Sequence, residues 1–169
     1  MLIVDGWPPI IDKIDAVFHV KERRDIIFAW GDTIYAPHGQ FVPFELRAHE
    51  AVHGSRQMRH PESIEGWWLD YLQDPEFRLV EEVPAHYAEL NFMCAGANRA
   101  QRRRALSIVA KKLASPLYRF GSLMNYELAK RILEIGPEQA QAILRDIPEE
   151  LLAIADAKMN RAEAGNGGA

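Results

Sequence analysis

From Leu46 the chain reads Leu-Arg-Ala-His-Glu-Ala-Val-His-Gly-Ser-Arg-Gln, placing two of its six histidines four residues apart. On a helix, residues at that spacing stand one above the other on the same face. His49 and His53 can therefore offer two imidazoles to one zinc ion, which sits about 2.0–2.1 Å from each nitrogen. Glu50 is rotated by about 100° from His49. That is too far round to share the coordination position, and well placed to take a proton from a water on the metal. Two ligands and one base on a single helix is the arrangement of zinc hydrolases. The bland alternative is a surface helix carrying solvated histidines. It fits less well, because a helix is expected here on independent grounds and a third ligand follows.

A catalytic zinc needs a third protein ligand and an open fourth position. His60 would serve in a metzincin-type pattern, which places a glycine three residues and a histidine six residues after the second ligand. Gly54 and Arg59 break that spacing. Glu81 and Glu82 are the better candidates. Phe77, Ala85, Ala88 and Phe92 share a helical stripe with Glu81 that would turn it inward.

The elements that must carry these residues can be read locally. Ala16–Val20, Ile26–Trp30 and Thr33–Ala36 are rich in β-branched and aromatic residues and are expected to be strands. Gly31-Asp32 between the last two suits a tight hairpin. Pro43 at a helix start, followed by Glu45, predicts a helix from Pro43 to about Met58. Ile64–Gln73 reads as a short amphipathic helix. Asp74-Pro75-Glu76 combines an N-cap, a proline at the first turn and an acid, and opens a helix to about Cys94. Pro84 inside it should kink it or loosen one turn. Beyond Asn98 the pattern is helical, with a break at Ser115-Pro116. Strands first and helices after give an α+β order.

The segments "TIYAPHGQFVPFELRAHEAVHGSRQ" and "WWLDYLQDPEFRLVEEVPAHYAEL" resemble the small zincin metallopeptidases of the gluzincin type, especially the minimal ones of phage and bacterial genomes. The resemblance runs from about Ile26 to Asn91, just over a third of the chain. It implies a minimal zincin-like domain with a small N-terminal antiparallel sheet, an active-site helix and a glutamate-bearing helix. In that family a strand along the substrate cleft precedes the His-Glu-x-x-His helix, and a second helix supplies a glutamate in a Glu-x-x-Ala context. Glu82-Val83-Pro84-Ala85 matches, so Glu82 is the implied third ligand beside His49 and His53, with Zn2+ as cofactor and Glu50 as general base. The strand Thr33–Ala36 would hold an extended peptide by its edge.

His86 lies one turn beyond Glu82, where members often carry an acid that orients a zinc histidine. It could act there as an acceptor, face the substrate as a catalytic residue that stabilises the oxyanion, or be a partly exposed helix histidine. Any of Tyr71, Tyr87, Tyr118 or Tyr126 could donate a second oxyanion hydrogen bond. Arg78 is read as a structural partner of Glu81 or Glu82, and Trp67, Trp68 and Tyr71 as packing between the motif helices.

Residues 1–97 are expected to form the peptidase domain, 98–159 a helical extension packed on it, and 160–169 a disordered tail. The composition agrees with one main domain: 169 residues, 48% hydrophobic and 26% charged, are ordinary globular values. A net charge of −4 argues against nucleic acid as a partner. The basic run at Arg102–Arg104 reads as a solvated helix face. One cysteine, Cys94, excludes an intramolecular disulfide and a multi-cysteine zinc site. No signal peptide or apolar run of about 18 residues is evident, so a soluble cytoplasmic protein without a membrane partner is expected. The expected partner is a peptide or protein substrate in extended conformation. A second reading is a zincin-fold structural or assembly component, virion-associated if phage-encoded, that carries zinc but cleaves little and binds other phage proteins. A third is a metal-free helical adaptor in which the motif arose by chance.

Overall fold

The structure, a computed structural model, describes residues 1–140. The element order is β1 (Leu2–Val4), α1 (Ile11–Phe18), β2 (Phe28–Trp30), β3 (Thr33–Tyr35), α2 (Phe44–Gln57), α3 (Ile64–Gln73), α4 (Pro75–Cys94), α5 (Arg99–Leu113) and α6 (Tyr126–Ile135). Two short 3₁₀ turns, Pro116–Tyr118 and Gly121–Leu123, link α5 to α6. The class is α+β, as expected. Of the helical extension foreseen over 98–159, residues 141–159 lie outside the described residues, and the tail 160–169 wholly so. Among the described residues no helix is long and apolar enough to cross a membrane.

The sheet departs from expectation in four ways. It is mixed, not antiparallel: β1 runs parallel to β3, while β2 and β3 form the antiparallel hairpin across Gly31-Asp32. The strand at Leu2–Val4 gives too short an apolar run to be read from sequence. Ala16–Val20 is not a strand, since α1 takes its first three residues. Ile14 and Phe18 recur at helical spacing, and Ile14 is buried in the core; that stripe outweighs the local β preference of Val17 and Phe18. Finally, the strand order β1-β3-β2 makes β3 the central strand. Paired on both sides, β3 has no edge left for a peptide, and β2 is the edge strand that borders the cavity described below.

Two apolar clusters flank the middle of the molecule. One joins Ile14, Val20, Phe28, Trp67, Trp68 and Tyr71 from α1, β2, α3 and their loops. The other joins Leu79 and Val83 of α4, Val109 and Leu113 of α5, and Ile132 and Leu133 of α6. Fully burying a side chain of this kind contributes about 1.5–3 kcal/mol. Between the clusters α2 packs along α4. The sequence-derived bounds of both helices hold closely, and α4 continues through Pro84 without ending. Asp74 caps α4 by accepting the Glu76 amide at 2.8 Å, and Ser63 caps α3 from Gly66 at 2.9 Å.

The hairpin is locked onto α2 by two residues. A Cβ on Gly54 would stand 1.9 Å from the Gly31 carbonyl oxygen, so only glycine lets the helix approach the turn. One turn on, Gln57 accepts the Gly31 amide at 2.8 Å and donates to the Ala29 carbonyl at 3.1 Å. This docking fixes the rotation of α2, and with it the direction in which His49, Glu50 and His53 point.

Candidate metal centre

The inward face of α2 is polar. His49, Glu50 and His53 are all buried. Facing them, α4 buries Glu82, His86 and Glu89. Groups of this kind are rarely buried without a partner or a task.

The histidines and Glu82 converge. His49 Nε2 and His53 Nε2 are 3.1 Å apart, His53 Nε2 is 3.3 Å from Glu82 Oε1, and His49 Nε2 is 3.5 Å from Glu82 Oε2. Ligand atoms about 2.0–2.2 Å from one tetrahedral zinc stand about 3.3–3.5 Å apart, close to these separations, and one ligand atom from each of the three residues lies within 4.8 Å of the others, so the group could hold a metal ion. Glu82 Oε2 is moreover buried without a hydrogen-bond partner, an arrangement that costs free energy unless a cation answers it. Nitrogen and carboxylate donors in this number are those of a catalytic zinc. The residues present fit the metal.

Glu50 shares their cavity, a space of about 470 Å³. Its walls also include Tyr71, His86 and Tyr118, with apolar surface from Ile14, Phe18, Phe28, Trp68 and Leu117. Burial pushes the Glu50 carboxyl up to about 8, against the pull of nearby His53. For Glu82 burial acts upward too, but His53, His49 and His86 hold its carboxyl well below the usual carboxylate range. His49 is pushed down to about 4, by burial first and by the neighbouring His86 next; its neutral form is the one that binds metals.

Glu81 is also buried, as its helical stripe suggested, but it is engaged elsewhere. Its two oxygens accept Arg56 Nε and Nη2, each at 2.6 Å, and Oε2 also accepts the Trp67 indole N–H at 3.0 Å. His60 pairs with Asp70 at 3.2 Å and does not join the cluster. Arg78 is structural but bridges to neither Glu81 nor Glu82: it donates to the Tyr118 carbonyl at 2.7 Å and to the Tyr71 carbonyl, tying the backbones of two cavity residues to α4. Of the four tyrosines, Tyr71 donates to Glu82 at 2.5 Å, and Tyr118 OH is 3.0 Å from His86 Nε2. Tyr126 instead meets Ser107, and Tyr87 packs under Gly136.

Sequence reasoning missed Glu89. Its Oε2 lies 3.1 Å from His86 Nδ1 and 3.6 Å from His49 Nδ1, and its Oε1 accepts Lys112 Nζ from α5. The spacing from His86 to Glu89, one helical turn, was the available signal. Lys112, on another helix, gave none. The cavity also takes Leu117 and Tyr118 from beyond residue 97, so the foreseen boundary does not separate the site from the helices that follow.

Compared with known proteins, the chain matches no family model, no curated protein and no solved structure.

Proposed function

We propose that the protein is a zinc-dependent peptidase whose metal is held by His49, His53 and Glu82. The observation that carries this reading is the convergence of those three side chains in a cavity that also holds Glu50, a buried carboxyl outside the ligand set. When bound, zinc would polarise a peptide carbonyl and lower the pKa of water toward about 7.

The chain's own residues supply the rest. Glu50 takes a proton from the attacking water and returns it to the leaving amine. Tyr118, whose hydroxyl lies 3.0 Å from His86 Nε2 at the cavity wall, is placed to turn its proton to the oxygen that gains negative charge, with His86 holding it in position. Phe28 and Ala29 of the edge strand β2 form one wall, along which an extended peptide would lie. The apolar part of the lining lowers the local dielectric and strengthens each of these interactions.

Zinc-loaded protein is expected to cleave a casein-type substrate panel, and a Glu50→Gln variant to keep the metal and lose the cleavage. A wild-type protein that holds zinc and cleaves nothing on the panel would leave the assembly-component reading in its place.

A further inference from the structure

Behind the proposed ligands lies a second group of buried side chains: His49, His86 and Glu89, whose ligand-type atoms fall within 4.8 Å of one another. These atoms could themselves suggest another ion. Against that, the Lys112 ammonium already sits on Glu89 Oε1 and supplies the positive charge. We infer that Glu89 and Lys112 form a positioning pair that holds His49 and His86 in register with the metal centre, and that α5 is therefore part of the site. The inference rests on the zinc reading above.

The argument starts from proton placement. A neutral imidazole that ligates through Nε2 carries its proton on Nδ1. His49 Nδ1 is buried and has no hydrogen-bond partner, and Glu89 Oε2 stands before it at 3.6 Å. A shift of a few tenths of an ångström closes that gap into a hydrogen bond. The same oxygen, 3.1 Å from His86 Nδ1, leaves the Nε2 of that ring facing Tyr118. One carboxylate thus sets the rotation of two rings.

Glu89 is 0% exposed, and a lone buried carboxylate there would be costly. Lys112 answers the charge from outside the cluster, its side chain still 42% exposed. The division of labour is geometric: Oε1 to the lysine, Oε2 to the histidines. Without the ammonium, Glu89 would be drawn toward other donors, and the ring of His49 would lose its fixed orientation.

The test is metal affinity in the full chain, measured by chelator competition with zinc and by the visible spectrum with cobalt(II) as probe. Glu89→Gln should weaken zinc binding about 10–100-fold, in line with other outer-shell partners of ligating histidines, and alter the cobalt spectrum. Lys112→Met should weaken it several-fold, and Lys112→Arg, which keeps the charge, should restore wild-type affinity. Circular dichroism checks that each variant is folded, and Lys112→Gln, which keeps a donor to Glu89 without the charge, is read in the same way should Lys112→Met fail to fold. Wild-type affinity and spectrum in Lys112→Met would overturn the inference while leaving the metal site standing. A wild-type protein that binds neither ion would overturn the metal reading, and this inference with it.

Discussion

Toward α5 and α6, helix α4 buries Leu79, Val83 and Leu90. Toward α2, α3 and the cavity it buries Glu81, Glu82, His86 and Glu89, the last of which also meets Lys112 of α5. The first face gains stability from every apolar group it removes from water. The second must desolvate carboxylates and imidazoles, recovers only part of that cost by pairing them, and would be no less stable as packed hydrocarbon. One helix thus carries a face selected for packing and a face whose composition packing cannot account for. Such local departures from stability mark functional sites.

The sharpest way to separate the two faces is to change one residue in each environment. Glu50→Gln on the polar side should lower peptide hydrolysis by about 10³-fold or more, because base and positioning effects combine. Leu113→Ala on the apolar side should lower unfolding free energy by about 2–5 kcal/mol, read in denaturant melts, with zinc content unchanged.

The polar face should also show its cost directly once the metal is stripped. With its carboxyl pushed up to about 8 by burial, folded Glu50 holds a proton that the unfolded chain releases near pH 4.3. The stability this contributes is present in full below that lower value and is lost as pH rises through about 8. Chelator-treated Glu50→Gln should therefore gain on chelator-treated wild type by at most about 4 kcal/mol between pH 5 and pH 9. Thermal melts at several pH values would show it, and a pH-independent difference would contradict the buried-carboxyl account.

The smallest effect is expected at the cavity wall. Tyr118→Phe removes the donor beside His86 and should lower kcat about 10²-fold while zinc affinity stays within about 2-fold, as for loss of a single transition-state hydrogen bond.

How much of this was legible beforehand follows the range of each interaction. The α2 and α4 helices announce themselves through Pro43, Glu45 and Asp74-Pro75, whose effects act within one turn. The histidine spacing is likewise local. The sheet was misread because its decisive pairing, β1 with β3, joins residues about thirty apart, and because the Ile14–Phe18 stripe acts only when it meets its tertiary partners. The pairing of Glu81 with Arg56 and Trp67, and of Glu89 with Lys112, needs three dimensions too. The motif match and the helical stripe pull the choice between Glu81 and Glu82 in opposite directions, and only the fold shows which partners each one meets.

That adjacent pair gives the most direct test of the central claim. Zinc per chain, measured on purified protein by elemental analysis, should be about one in the wild type and close to none in Glu82→Ala, which removes a ligand bond and a neutralising charge. Glu81→Ala should keep the metal and lose only about 1–3 kcal/mol of stability, from the contacts of Arg56 and Trp67 left unmade. Zinc lost from Glu81→Ala and retained in Glu82→Ala would contradict the account.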